Sequence, residues 1–214
     1  SRAGDAEATR RALLSAATSL FARRGFPGAT AERIARAAGV NKAMINYHFG
    51  GKRGLYAAIV RESFAALLAR LEGVTASGAP PAEKLRRFIA MFAQTVAEAP
   101  DLPAMLLREI LSGGEHVDRE LFGFITSILG AVRGMVESGV REGSFRPVDP
   151  LLTHLSLMGS LIFFFATEEF RRRAVSEAHI APVPPAAEDY VRHLQELVAR
   201  GLRADAPAAG PRKR

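Results

Sequence analysis

The sequence predicts an all-α protein of about nine helices. Apolar residues recur at three- and four-residue spacing in segment after segment, and no stretch alternates convincingly as a strand would. The segments are fenced by capping side chains on one side and by glycine or proline on the other. The 214 residues, 48% hydrophobic and 24% charged, are enough for an ordinary globular core. The absence of cysteine excludes disulfides, thiolate metal sites and a cysteine nucleophile, and it fits a reducing cytoplasm.

The first helix is expected over residues 7–24, with Leu13, Ala17, Leu20 and Phe21 on one face and Gly25 as its stop. After a Pro27-Gly28 turn, Thr30 is a natural N-cap for a second helix through Ala38, closed by Gly39. Asn41 caps a short third helix to Phe49, which Gly50-Gly51 breaks. A fourth helix starts at Lys52 and carries Leu55, Ile59, Phe64, Leu67 and Leu71. Residues 73–81 are rich in small side chains and proline and read as a linker. The chain thus divides into 1–51, a connecting helix 52–72, a larger helical part 73–203 and a tail 204–214 expected to be disordered. Within the larger part, helices are expected over 82–97, 103–111, 116–142, 151–166 and 186–203, with a proline-rich loop at 175–185. Residues 151–167 are apolar enough to raise a membrane span, but His154 and Ser156 interrupt them and a charged run follows. A buried helix, with no membrane partner, is the expectation there.

Charge is segregated. Residues 1–56 hold ten Lys/Arg against three acids, a local excess equal to the whole chain's net +7, while the remaining 158 residues balance. A positive field confined to one quarter of a chain favours a polyanion. In the same quarter, a nine-residue helix, a turn at Gly39-Val40 and a short capped helix make the helix-turn-helix pattern. Ile34, Ala35, Val40, Ile45 and Phe49 are placed to pack the pair together, which leaves Asn41, Lys42, Ala43 and Asn46 on the outer face. Such a helix enters the DNA major groove. There Lys42 would reach guanine O6/N7, Asn46 adenine N6/N7, and Ala43 a thymine methyl. Tyr47, His48 and Lys52 supply donors suited to phosphate oxygens.

The run Thr30-x-x-x-Ile34-Ala35-x-x-Ala38-Gly39-Val40, followed by Tyr47-His48-Phe49-x-x-Lys52-x-x-Leu55, resembles the TetR family of bacterial transcription regulators over about residues 8–59. The resemblance implies a three-helix DNA-binding domain, a fourth helix leading to a larger regulatory and dimerisation domain, and a double-stranded DNA operator as partner. It also implies phosphate contacts from Thr30, Tyr47, His48 and Lys52, with Lys42 reaching DNA, and an unknown small-molecule effector whose binding releases DNA. Arg33, Arg53 and Asn46 depart from the family's usual residues; the two arginines would strengthen backbone binding and Asn46 would alter base preference. Place of action would be the cytoplasm, at the nucleoid.

Candidates for the implied effector pocket are Phe88, Phe92, Phe122, Phe163 and Phe164 as apolar lining and Arg108, Glu109 and His116 as polar anchors. For homodimerisation the candidates are the helices Leu151 to Ala166 and Ala186 to Leu202, where Gly159 and Ser160 permit close approach of a second subunit. No P-loop, GxSxG or HExxH motif is present, and the five histidines do not fall at metal-ligand spacings. Neither catalytic residues, metal ligands nor a cofactor are therefore expected.

Overall fold

Ten helices follow one another through residues 2–116, 118–178 and 185–204, the residues that the computed structural model describes. They are α1 (Arg2–Gly28), α2 (Ala31–Ala38), α3 (Ala43–Phe49), α4 (Lys52–Thr75), α5 (Pro81–Glu98), α6 (Leu102–Leu111), α7 (Arg119–Arg141), α8 (Pro150–Ala166), α9 (Glu168–Ala178) and α10 (Ala187–Leu202). Their order comes from the punctuation. Gly25 at φ 66° breaks α1, and the chain resumes one further turn to Gly28. Gly39 and Gly50 close α2 and α3 in the left-handed region at φ 68° and 69°. Asp149 Oδ1 accepts from the amides of Leu151 and Leu152 at 2.8 and 2.9 Å, and Pro150 takes the first position of α8, where a missing N–H costs nothing.

The first three helices and the start of α4 pack around Leu13, Ala17, Phe21, Ile34, Ala35, Ile45 and Leu55, all buried. The rest of α4 packs with α5, α7 and α8 around Phe64, Leu67, Leu85, Phe88, Ile89, Val132, Leu157 and Leu161. Each such side chain withdraws enough apolar surface to contribute about 1.5–3 kcal/mol. Helix α4 therefore belongs to both groups: its first turns hold the N-terminal helices and its later turns the larger bundle.

Several expectations need correction. Helix α4 continues through Thr75, so the linker shrinks to 76–80. Helix α7 begins at Arg119, where Asp118 accepts from the Leu121 amide at 2.9 Å, so His116 lies in the loop before it. Helix α9 is not among the expected segments. Glu168 and Glu169 at its start and the Arg172–Glu169 and Arg173–Glu177 pairs support it, and it bends away from α8 by 57°. Residues 175–178 are thus helical rather than loop, while 179–184 of that expected loop and 205–214 of the expected tail lie outside the described residues. Among the described residues, helix α8 is covered on one side only. Leu157, Leu161 and Phe164 are buried, whereas Leu151, Leu152, Leu155 and Phe163 are at least half exposed. By length and composition α7 and the bent pair α8–α9 reach what a membrane crossing requires, yet Val132, Met135, Val136, Leu157 and Leu161 pack into the same core as α4 and α5.

Candidate nucleic-acid interface

Helix α3 is seven residues long and is held by its inner face. Ile45 is 1% exposed, and Met44 and Phe49 pack against the core beside it. Asn41 Oδ1 accepts from the Ala43 amide at 2.8 Å and so starts the helix. Thr30 does the same for α2, accepting from the Arg33 amide at 3.3 Å. The turn between them is closed by Gly39, with the Val40 amide donating to the Ala35 carbonyl at 3.0 Å. The α3–α4 junction is tighter still: a Cβ on Gly54 would lie 1.8 Å from the Phe49 carbonyl oxygen, so only glycine lets α4 start there.

This packing leaves Asn41, Lys42, Ala43, Asn46 and Tyr47 exposed along the outer side of α3, Tyr47 at 75%. Thr30 is half-buried at the start of α2, and His48 is half-buried with its ring 4.9 Å from that of Tyr47. Three of the cations expected to meet DNA are already engaged within the chain. Lys42 forms an ion pair with Glu32 of α2. Arg33 donates to the Gly28 carbonyl at 2.9 Å. Lys52 lies over the Phe26 ring, 4.0 Å from its centroid, and donates to the Phe26 carbonyl at 2.9 Å; burial lowers its pKa. Arg11, Arg36 and Arg53 are exposed and have no ion-pair partner among the described residues.

The eight candidate effector residues do not converge. Phe88 and Phe92 are inside the core, Phe122 and Phe163 project outward from α7 and α8, and Phe164 stacks on Tyr190 with centroids 3.7 Å apart. Side-chain type alone could not separate these fates, because phenylalanine serves all three. Arg108, Glu109 and His116 do meet, at the seam where α6 touches α1 and α4. Glu109, 6% exposed, accepts from the Tyr56 hydroxyl at 2.8 Å and the His116 amide at 2.7 Å, and lies 3.2 Å from His116 Nδ1. Burial, then the bond to Glu109, raises the Tyr56 pKa beyond its ordinary value. Arg108 donates to the Ala22 and Arg23 carbonyls at 2.6 and 3.3 Å, near the end of the first segment of α1. Phe26 packs on His116 at 3.9 Å and on Tyr56 at 5.4 Å. A cleft of about 410 Å³ opens beside this cluster, walled by Phe21, Phe26, Tyr56 and Met105. Sequence reading missed Tyr56 and Phe26; the aromatic spacing between them carries no local signal, and only the packing of α4 on α1 brings them together.

Comparison with known proteins identifies the family. Residues 13–59 match the family model described as bacterial regulatory proteins of the tetR family. Residues 78–206 match that of the tetracyclin repressor-like C-terminal domain. The chain is 29% identical over 205 residues to the HTH-type transcriptional repressor NicS of Pseudomonas putida, covering 94% of this chain and 96% of NicS. To the HTH-type transcriptional regulator RutR of Escherichia coli K12 it is 30% identical over 151 residues, 71% of this chain and 70% of RutR. Among solved structures, the ketosteroid transcriptional regulator KstR2 of Mycobacterium tuberculosis superposes with a TM-score of 0.74 at 20% identity, covering 92% and 95% of the two chains. The TetR family regulator PfmR of Thermus thermophilus superposes with a TM-score of 0.71 at 26% identity, covering 89% and 98%. With matches spanning both its parts, the chain belongs to the TetR family of bacterial regulators, a DNA-binding regulator of transcription and not an enzyme.

Proposed function

We propose that this chain represses transcription as a homodimer on a palindromic operator and is released when a small molecule binds its larger helical part. The observation that carries the reading is the division of α3: a single buried anchor, Ile45, under an outer face of Asn41, Lys42, Ala43, Asn46 and Tyr47 that nothing among the described residues covers. That face has the chemistry of base recognition, with a cation for guanine, an amide for adenine and a methyl for thymine. Thr30, Tyr47, His48 and Lys52 would hold phosphates around it, with Arg33 adding charge.

The homodimer reading rests on α8 and α10. Leu151, Leu152, Leu155 and Phe163 form one exposed apolar face on α8, and Leu197 adds to it from α10. A second copy of the same face supplies what such a surface lacks, in a four-helix arrangement. Two-fold symmetry would then set two α3 helices about 34–36 Å apart, in successive major grooves. The two parts 1–51 and 73–203 keep the roles of reader and regulator, joined by α4, and the site of action is the cytoplasm at the nucleoid.

The effector reading rests on the seam. Arg108 and Glu109, adjacent on α6, bind α1 and α4 respectively, so a ligand that shifts α6 pulls on both supports of the reading helices. The cleft beside Arg108, Glu109 and His116 is the place to look for it. The test is selection of bound duplexes from a random pool. A palindrome with half-sites one helical turn apart is the expected result, and a selected duplex without symmetry, or no enrichment at all, overturns the proposal.

A further inference from the structure

Residues 8–61 contain ten Lys/Arg and a single acid, Glu32. On a surface built to meet phosphates, one carboxylate is conspicuous by its charge, and its partner is informative. Glu32 lies in the first turn of α2, four residues before Arg36, the position from which a helical ion pair forms most readily. Arg36 is exposed and has no ion-pair partner among the described residues. Glu32 instead reaches across the turn to Lys42, ten residues on and immediately before α3. Lys42 is the one cation at the leading end of the reading face. Both side chains are 57% exposed, so the pair sits in water where an incoming duplex would meet it. The pairing with Lys42 is also the largest cause holding the Glu32 carboxyl below its usual range.

We infer that Glu32 acts as an internal substitute for a DNA phosphate, occupying Lys42 so that random duplex gains nothing from it, and thereby sets the ratio of operator to non-specific affinity. The inference rests on the proposed role of Lys42 at DNA. On non-specific DNA, Lys42 gains one phosphate oxygen and gives up one carboxylate oxygen, an exchange of like for like that leaves Glu32 unpaired beside a polyanion. The exchange yields nothing, so Lys42 stays with Glu32 and one fewer counterion is released. At the operator a correctly placed base edge offers directional acceptors that the carboxylate does not match, and Lys42 leaves. Glu32 thus filters the contact by geometry, at the cost of some total affinity.

The test is binding to a mixed-sequence duplex and to the selected operator across roughly 50–200 mM salt. Glu32→Gln is expected to raise mixed-sequence affinity about threefold at the low-salt end, within what an exposed pair supplies. The salt slope should steepen by about 0.9, one added phosphate contact. Operator affinity should rise less, so the specificity ratio falls. Glu32→Asp keeps the charge in the first turn of α2 but withdraws the carboxylate by one methylene, and should fall between the two. In a Lys42→Gln background the gain from Glu32→Gln should vanish. An equal gain in that background means general repulsion by Glu32 and overturns the inference, as does lost mixed-sequence affinity with unchanged thermal unfolding. If Lys42→Gln alone leaves operator affinity unchanged, the role of Lys42 at DNA fails, and this inference with it. If it lowers that affinity while Glu32→Gln does nothing, only the inference fails.

Discussion

Lys52, proposed to hold a phosphate, is also a structural tie within the chain. Its ammonium lies on the Phe26 ring and donates to the Phe26 carbonyl, tying the start of α4 to the last turn of α1. Lys52→Ala should therefore weaken DNA binding nearly uniformly across sequences and also cost about 1 kcal/mol of stability, read by titration against a duplex library and by urea unfolding. Asn46→Ala should leave stability unchanged and relax the preference at one base position by about 1–3 kcal/mol. Equal, sequence-independent losses for both variants would contradict this division of roles. His154 offers a residue-scale dependence on pH. Its Nδ1 is buried without a hydrogen-bond partner among the described residues, and burial holds its pKa below the ordinary value of about 6.5. The unfolded chain takes up a proton there first, so nothing is lost above about pH 6.5 and stability falls as pH drops through the folded-state value. The loss of stability between about pH 7.5 and 5.5 should be smaller in His154→Asn than in the parent chain.

At the scale of elements, junctions matter more than helix interiors. Gly54 allows α4 to begin directly against the Phe49 carbonyl, and a methyl there meets backbone with nowhere to go. Gly54→Ala should lower stability by about 3 kcal/mol and abolish DNA binding together, because the displaced element is the one that holds α3. A fully stable variant in urea unfolding would show the junction to be looser than this. Gly139 is the equivalent contact in the larger part, where a Cβ would lie 2.1 Å from the Phe145 ring. Phe145 in turn bridges to Arg203, and Arg146 donates to the Gly201 carbonyl at 2.7 Å, which fastens the end of α10 to the loop before α8. At the other end of α8, Arg171 lies over Phe164, Phe164 stacks on Tyr190, and the Tyr190 hydroxyl donates to the Ser160 carbonyl. The two helices proposed for dimerisation are thus joined at both ends before any partner arrives.

For the whole molecule, the exposed face of α8 makes the strongest demand. Leu152 and Leu155 are 63% and 57% exposed, side chains that water tolerates poorly when clustered. Leu152→Glu combined with Leu155→Glu should yield a helical monomer by sedimentation, with operator affinity reduced by at least about 100-fold, because one reading helix cannot use both half-sites. A dimer that persists would move the interface elsewhere. The seam that α6 makes with α1 and α4 is the second global element. Glu109→Gln should weaken the bond to Tyr56 and the tie to His116, costing about 1–3 kcal/mol and loosening the coupling between the two parts. Under the proposed release by a small molecule, operator binding should then respond less to that ligand.

Local features were legible along the chain: where helices start and stop, which face of α2 and α3 turns inward, and that Asn41, Lys42, Ala43 and Asn46 are left outside. Caps, glycines and three-to-four spacing act over a few residues, so they can be read in order. Helix α9 escaped because its charged stretch is stabilised by ion pairs rather than by an apolar stripe. Which distant groups meet is a matter for the folded chain alone. Phe88, Phe163 and Phe164 look alike in sequence and end in the core, at the surface and in a stack with Tyr190. Glu109 finds Tyr56 across 53 residues because α6 and α4 both pack on α1, and Lys42 finds Glu32 because a tight turn folds α3 back toward α2. Such meetings depend on how helices cross, and crossing is fixed by the packing of the whole core rather than by any one segment.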